Sequence, residues 1–118
     1  MQRIILKSKI SEATVTETKL HYSGSITIDE ELAEAANILP NENVQVLNLS
    51  NGARVETYYI QGKRNSGIVC VNGPAAHRFE KGDKIIILSY GIFEEEEIKN
   101  FKPKIIRVDK KNRECTQR

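Results

Sequence analysis

The sequence predicts a mainly β protein whose strands close, or nearly close, into a small barrel with two or three short helices. Most apolar residues lie in short runs rich in valine, isoleucine and threonine, as in strands. The pair Asn51-Gly52 separates two such runs and is a strong signal for a β-hairpin. Helical patterns are confined to a few short segments, and many short strands with few helices are typical of a barrel.

The predicted strands follow one another along almost the whole chain. Those on either side of Asn51-Gly52 form the predicted hairpin. The run Ile85-Ile86-Ile87-Leu88 predicts a strand that is buried on both faces. The predicted strands are Arg3–Lys9, Thr14–Thr18, Ser25–Ile28, Val44–Leu49, Arg54–Ile60, Ile68–Val71, Lys84–Tyr90 and Lys104–Val108.

Three segments have helical character. Residues 29–36 begin with an acid at the N-cap, continue with acids in the first turn and contain strong helix formers. Residues 73–78 predict a single helical turn. Residues 94–100 begin with four glutamates, which suit the positive end of a helix dipole, and predict a short helix.

Length and composition indicate one soluble globular domain over residues 1–110. The chain has 118 residues, of which 39% are hydrophobic and 29% charged. No apolar run approaches the roughly 18 residues of a membrane span, and the first residues are too weakly apolar for a signal peptide. Two cysteines give no disulfide framework. We therefore expect a cytoplasmic protein that does not bind a membrane.

Motif searches favour a binding module at first. The chain has neither of the common glycine-rich nucleotide motifs. Its two histidines and two cysteines are too far apart for a metal-ligand pattern, so no metal is expected. A non-enzymatic β-barrel binding module is accordingly one hypothesis.

The carboxyl-terminal segment is basic. Residues 102–118 contain seven lysines and arginines but only two acids, although the whole chain has a net charge of +2. This segment has no aromatic residue to stack on bases, so no nucleic-acid partner is expected. Residues 111–118 are predicted to form a disordered tail.

The step Gly24-Ser25 lies between two predicted strands and has two interpretations. Gly-Ser is a common turn dipeptide. Alternatively, the Ser25 hydroxyl attacks the carbonyl of Gly24, where glycine permits strained backbone angles and gives little steric hindrance. The resulting ester can undergo β-elimination, which cuts the chain and leaves a dehydroalanine that hydrolyses to a pyruvoyl group. The residues alone leave both interpretations open.

Six motifs of the chain, in this order and spacing, resemble those of aspartate 1-decarboxylase, a pyruvoyl-dependent family. The resemblance covers residues 1 to about 110. The motifs are Lys7-Ser8-Lys9-Ile10, Leu20-His21-Tyr22-Ser23-Gly24-Ser25, Asn48-Leu49-Ser50-Asn51-Gly52-Ala53-Arg54, Thr57-Tyr58, Val71-Asn72-Gly73-Pro74-Ala75-Ala76-His77 and Gly82-Asp83.

This resemblance implies a double-psi β-barrel and a homotetramer with active sites between neighbouring subunits. It also implies cleavage between Gly24 and Ser25, with the pieces 1–24 and 25–118 held together in one fold. The pyruvoyl group made from Ser25 would form a Schiff base with L-aspartate and release CO2 and β-alanine for pantothenate and coenzyme A synthesis. No metal and no pyridoxal phosphate are needed.

The resemblance also assigns roles to residues of this chain. Lys9 and Arg54 would bind the two substrate carboxylates. The guanidinium of an arginine can bind a carboxylate with two hydrogen bonds. Tyr58 would donate the proton, and strand alternation places it on the face of Arg54, with Thr57 on the other face. Thr57 would assist self-cleavage by hydrogen bonding to the scissile carbonyl. The pocket would be lined by Asn72, Gly73, Pro74 and Ala75.

One position departs from the family pattern, since Ser11 stands where many members carry histidine. A serine can hydrogen bond there but cannot act as a base near neutral pH. Besides the aspartate enzyme and the binding module, a pyruvoyl decarboxylase for another small amino acid remains a third hypothesis. The two cationic candidates favour a substrate with two carboxylates.

Overall fold

The computed structural model describes residues 1–115, which contain eight strands and three short helices. The helices are α1 (Glu30–Ala35), a 3-10 helix (Gly73–Arg78) and α2 (Glu95–Ile98). The strands are β1 (Gln2–Thr14), β2 (Glu17–Lys19), β3 (Ser25–Asp29), β4 (Asn43–Asn48), β5 (Arg54–Gly62), β6 (Val69–Asn72), β7 (Lys84–Glu94) and β8 (Lys104–Arg107). The predicted mainly β class is confirmed. Within residues 1–115, no helix has the length and apolar character needed to cross a membrane.

The strands form one sheet that curls into a barrel. Their order is β2-β6-β3-β5-β4-β7-β1-β8. Between β1 and β2, the Val15 N–H donates to the Asp83 carbonyl at 2.9 Å, and the Thr16 N–H donates to the Val69 carbonyl at 2.8 Å. Because Asp83 directly precedes β7 and Val69 begins β6, this short segment joins two distant parts of the sheet. The barrel-like architecture predicted from the sequence is confirmed.

Side chains from one face of the sheet fill the barrel and form the core. Tyr59 is the largest of them, and its burial, with nearby carboxylates adding to the effect, raises its pKa to about 12. The side chains that are at most 1% exposed include Ile10, Ile26, Ile28, Val44, Val46, Tyr59, Val69, Val71, Ile85 and Ile87. The opposite, outer face of β7 is less enclosed than predicted, because Ile86 is only half-buried.

The amino-terminal strand differs from the prediction. Residues 3–9 and 14–18 were expected to form two strands, but β1 runs without a break to Thr14. Its register against β7 shifts between Leu6 and Ser8 and again between Ile10 and Ala13. Each shift is a β-bulge, and at the second one Glu12 has a φ of 61°. Bulges interrupt the alternation of side chains, which is why the pattern suggested a strand end.

The hairpin between β4 and β5 is confirmed. The two strands are antiparallel, with Leu47 opposite Arg54. Gly52 has a φ of 75°, a conformation that glycine adopts without strain, and its N–H donates to the Asn48 carbonyl at 2.8 Å. The Asn51 side chain accepts from the Ala53 N–H at 2.8 Å. The turn therefore fixes the position at which Arg54 enters β5.

Asp29 caps α1 as predicted and also holds a neighbouring loop. Its carboxylate accepts hydrogen bonds from the N–H groups of Glu31, Asn65 and Gly67 at 2.8 to 2.9 Å. Burial alone would raise the pKa of Asp29, but the three N–H donors hold it below its usual value. Since Asp29 also ends β3, this carboxylate ties β3 to the loop that precedes β6.

The segment from residue 111 differs from the predicted disorder as far as the structure describes it. Asn112 is only 2% exposed. Its side chain accepts from the Thr14 N–H at 2.7 Å and donates to the carbonyls of Thr14 and Gly67 at 2.8 Å. Residues 111–115 thus pack against the barrel, because one amide satisfies backbone groups of two other segments. Residues 116–118, the rest of the predicted tail, lie outside the described residues.

Candidate active site

Ser25 is the first residue of β3 and is buried, with 2% of its surface exposed. β3 and β6 are antiparallel, with Ser25 directly opposite Asn72. The Asn72 Nδ2 donates a hydrogen bond to the Ser25 Oγ at 2.9 Å. Two candidate residues that are 47 positions apart in the sequence are therefore in direct contact.

Gly24 and Gly73 pack backbone to backbone beside this pair. Gly73 has a φ of 80°, and a Cβ added to it would lie 2.8 Å from the Gly24 N, the Gly24 Cα and the Tyr22 carbonyl oxygen. The turn after Asn72 therefore leaves no room for a side chain against the Gly24-Ser25 step. Glycine is required at position 73 by both conformation and space.

Gly24 has open space on the side that a side chain would occupy. It is not among the residues of 1–115 with a positive φ. A Cβ on Gly24 would meet no atom of residues 1–115 within 4 Å. The open space agrees with low steric hindrance around its carbonyl.

Pro74 and Ala75 follow in the 3-10 helix that begins at Gly73. Pro74 is exposed, whereas Ala75 packs against the edge of the core. The helix is thereby anchored to the barrel while its first residues stay next to Gly24. Both residues are near the Ser25 site because they directly follow Asn72 and Gly73 in the chain.

Tyr58 shares the outer face of the barrel with Ser25. β3 and β5 are parallel, and buried Ile26 is opposite buried Tyr59. Ser25 and Tyr58 each come one residue earlier, so their side chains point together to the other face. Tyr58 is 37% exposed, which leaves its phenol accessible.

Arg54 lies four residues before Tyr58, on the same outer face of β5. Its guanidinium is exposed and donates a hydrogen bond to Gln45 on β4. Among the described residues it forms no ion pair, and Leu47, its partner in the register, is not acidic. A guanidinium held by a neutral partner retains capacity for a carboxylate.

Thr57 points away from these residues. Val55, Thr57 and Tyr59 alternate with the exposed residues of β5 and are half-buried or buried. The face predicted for Thr57 by strand alternation is therefore found. No side-chain hydrogen bond joins it to Ser25 or Gly24 in residues 1–115, so its role in self-cleavage stays a prediction.

Lys9 lies on β1, well separated from Ser25. In the sheet order, β7, β4 and β5 come between β1 and β3. Register pairs run from Lys9 to Leu88, then to Gln45 and Glu56. Paired residues point to the same side, so Lys9 shares the outer face with Arg54. Within a single chain, Lys9 and Arg54 therefore lie on the same face of the sheet but on strands that are not neighbours.

Two polar residues beside Ser25 were not among the predicted site residues. The Asn72 Nδ2 also donates to the Thr27 Oγ1 at 3.0 Å, and the Cys70 Sγ lies 3.2 Å from the Asn72 Oδ1. The sequence carried a signal for them, because Thr27 and Cys70 are two residues from Ser25 and Asn72 on the same strands. Which strands pair, however, could not be read from the sequence. Among residues 1–115, no group of three or more His, Cys, Asp or Glu side chains is arranged to hold a metal ion.

Comparisons with known proteins agree with this arrangement. Residues 1–115 match the family described as aspartate decarboxylase. The chain is 58% identical over 113 residues to the aspartate 1-decarboxylase of Thermoanaerobacter pseudethanolicus, covering 96% of this chain and 97% of that protein. It is 59% identical over 109 residues to the enzyme of Acetivibrio thermocellus, covering 92% and 86%. For the Listeria monocytogenes enzyme the identity is 53% over 112 residues, covering 95% and 88%.

The match extends over nearly the whole chain and includes both strands that carry Ser25 and Asn72. The resemblance stated from six short motifs is thereby confirmed, and so is the prediction of an enzyme. The chain belongs to the aspartate decarboxylase family.

Proposed function

We propose that this chain is a self-processing, pyruvoyl-dependent enzyme that converts L-aspartate to β-alanine and CO2 for pantothenate and coenzyme A synthesis in the cytoplasm. The contact that best supports the proposal is the 2.9 Å hydrogen bond from the Asn72 Nδ2 to the buried Ser25 Oγ. It holds a hydroxyl directly after the open Gly24 position in a chain of this family.

Self-cleavage uses only atoms of the chain and water. The Ser25 Oγ attacks the Gly24 carbonyl carbon, its proton moves to the departing amide nitrogen, and an ester replaces the peptide bond. Loss of the Ser25 Cα proton then breaks the Cβ–Oγ bond and leaves a Gly24 carboxylate and a dehydroalanine. Water converts this residue to a ketone and releases ammonia. The products are pieces of 24 and 94 residues.

The residues around position 25 fit a pyruvoyl group. Asn72 presents an N–H donor at this position, and both oxygens of a pyruvoyl group are acceptors. Gly73 keeps the adjoining turn close to the chain break without a side chain in between. Once formed, the group supplies a ketone that reacts with an amine and an electron sink for decarboxylation.

The remaining candidates fit the demands of aspartate as a substrate. Arg54 binds one carboxylate with its guanidinium fork, and Lys9 binds the other with its ammonium group. Tyr58, accessible and on the face of Ser25, donates the proton to the carbon from which CO2 has left. Two carboxylates on one substrate suit two cations of the outer face that form no ion pair within residues 1–115.

We propose a homotetramer in which the site is completed by a neighbouring copy. Lys9 is separated from Ser25 by three strands along the sheet order, which favours a second chain as the source of the lysine that faces position 25. The outer face also carries the exposed apolar pair Ile4 and Ile92, which are 73% and 68% exposed and opposite each other in the register. An apolar patch of this kind beside the candidate cations suits contact with another subunit.

Self-cleavage is tested with two serine variants. Ser25→Ala should stay whole after purification, whereas Ser23→Ala, which removes an exposed hydroxyl two residues away, should yield both pieces at the parent rate. Mass spectrometry of the denatured proteins measures both. Cleavage of the Ser25→Ala chain would refute Ser25 as the nucleophile. A parent chain that stays whole and releases no CO2 from aspartate would refute the enzyme proposal and favour a binding module.

The shared site is tested by mixing two inactive chains. Lys9→Ala and Ser25→Ala should each be inactive alone, but a co-expressed mixture should recover a measurable share of activity. Sites between unlike chains would then contain an intact Lys9 and an intact Ser25. If both residues served the same site of one chain, every site in the mixture would lack one of them. Absence of recovery in verified mixed assemblies would therefore refute sharing.

A further inference from the structure

Four polar side chains form a square on the outer face of β3 and β6. Ser25 is opposite Asn72, and Thr27 is opposite Cys70, in an antiparallel pair. Residues two apart on a strand point to the same side, as do residues directly opposite each other. We call Ser25, Thr27, Cys70 and Asn72 the polar square. The residues between them, such as Ile26 and Val71, point into the core.

Asn72 is the hub of the polar square. Its Nδ2 donates to the Ser25 Oγ at 2.9 Å and to the Thr27 Oγ1 at 3.0 Å. Its Oδ1 accepts from the Cys70 Sγ at 3.2 Å. Both amide N–H groups therefore point to hydroxyl oxygens, and the amide oxygen points to the thiol.

A side-chain amide has nearly the same shape when it is turned over, so neighbouring groups decide its orientation. The reversed amide would present its oxygen to Ser25 and Thr27 and its N–H groups to the Cys70 sulfur. Sulfur is a weak acceptor, whereas the thiol proton can be donated to an amide oxygen. Burial raises the pKa of Cys70 to about 11, with the charge of Glu17 and a hydrogen bond to it adding to the effect, so the thiol keeps its proton at neutral pH. Glu17, opposite Cys70 on β2, is thus a second acceptor for this proton, beside the Asn72 Oδ1 at 3.2 Å.

We propose that Cys70 is a positioning residue for self-cleavage: its S–H holds the Asn72 carbonyl and so turns the Asn72 N–H groups toward Ser25. This inference rests on the proposed cleavage at Ser25. The Ser25 Oγ is then an acceptor and is free to give up its own hydrogen as it attacks Gly24. Negative charge that develops on this oxygen is stabilised by the N–H already aimed at it.

The same contacts explain why a cysteine suits position 70. Cys70 is 1% exposed, so its side chain must fit a closed space beside Asn72. Alanine would leave the buried Oδ1 without its donor, which weakens the preference for the productive orientation. Serine would supply a hydroxyl donor at the same position. The pair Cys70→Ala and Cys70→Ser therefore separates hydrogen bonding from packing.

The test measures how fast the purified precursor is converted to the 94-residue piece. Cys70→Ala should slow this conversion roughly three- to tenfold, because a single net hydrogen bond contributes about 1 kcal/mol. Cys70→Ser should restore a rate close to that of the parent. Val71→Ala is the control for loss of packing, since Val71 is the neighbouring core residue. It should lower the melting temperature without slowing cleavage.

Two outcomes of the cleavage assay would overturn the proposal: cleavage of Cys70→Ala at the parent rate, or equal slowing by alanine and serine. A second readout does not depend on cleavage. In a Ser25→Ala background, Cys70→Ala should shift the side-chain amide NMR signals of Asn72, and Cys70→Ser should bring them back. Unchanged signals would refute the contact itself. A parent that never cleaves would instead refute the proposed self-cleavage and with it the positioning role of Cys70, while the signals would still show whether the contact between Cys70 and Asn72 exists.

Discussion

A side chain on Gly73 would occupy the space of the Gly24 backbone, because its Cβ would lie 2.8 Å from both the N and the Cα of Gly24. Gly73 also has a φ of 80°. Gly73→Ala should therefore displace the Gly24-Ser25 step and reduce self-cleavage at least tenfold, measured as the rate at which the precursor disappears.

Gly52 offers a matched control for this change. Its φ is 75°, but a Cβ there would meet no atom of the described residues within 4 Å. Both alanine variants should lose about 1–2 kcal/mol of stability through the left-handed backbone. Only Gly73→Ala should lose cleavage. Equal cleavage in the two variants would show that the close approach to Gly24 does not matter.

Tyr58→Phe should be cleaved at the parent rate yet decarboxylate aspartate about a hundredfold or more slowly, the range expected for loss of a general acid. The fold should not change, because the hydroxyl lies on the accessible outer face. Tyr90→Phe, which removes an equally exposed phenol on β7, should keep its activity. Steady-state CO2 release checks the pair, and normal turnover by Tyr58→Phe would remove Tyr58 from the role of acid.

Arg54→Ala should raise the KM for aspartate roughly 10- to 100-fold, since a hydrogen bond to a charged group contributes about 1.5–3 kcal/mol. Self-cleavage should be unaffected, because the Arg54 guanidinium contacts Gln45 rather than Ser25. Arg3→Ala is the control: this exposed arginine on β1 pairs with Glu95, the first residue of α2. An unchanged KM in Arg54→Ala would exclude it as a carboxylate ligand.

The carboxylate of Asp29 should make stability depend on acid pH. Because hydrogen bonds hold its pKa in the folded chain below the unfolded value of about 3.9, its contribution is complete above that value and is lost as pH falls through the folded pKa. Asp29→Asn should cost roughly 2 kcal/mol at pH 7, and the difference from the parent should shrink as the pH is lowered.

Thermal melts between pH 7 and pH 3 measure this dependence. Glu31→Gln serves as the control. The Glu31 carboxylate is exposed in the first turn of the same helix, and only the backbone N–H of Glu31, not its side chain, bonds to Asp29. Its stability should follow the parent at each pH. A constant difference between Asp29→Asn and the parent over the whole range would contradict the assignment.

Features that depend on neighbouring residues were predictable from the sequence. The hairpin follows from Asn51-Gly52, and the shared face of Arg54 and Tyr58 follows from the two-residue period of a strand. Bulges interrupt that period in β1, so the residues around Glu12 were predicted to lie between two strands although they belong to one. Local pattern therefore succeeds wherever the strand is regular.

Features that depend on distant pairing were not predictable. Nothing local in the sequence shows that the strand carrying Cys70 pairs with the one that begins at Ser25. Asn112 was assigned to a disordered tail, yet its side chain bonds to Thr14, 98 positions away. Both residues contact partners that are far away in the sequence and come close only in the folded chain.

The long pairing of β1 has a consequence for the processed protein. Residues 1–24 contain β1 and β2, and β1 pairs with β7 and β8. Once the chain is cut, these contacts hold two separate polypeptides together. Recovery of the precursor barrel from denaturant involves one chain, so its rate is independent of protein concentration. The cut barrel must instead be rebuilt by a second-order encounter. Processing thereby converts an intramolecular folding reaction into an assembly reaction. After denaturation, dilution should slow the reassembly of the two pieces of the mature protein.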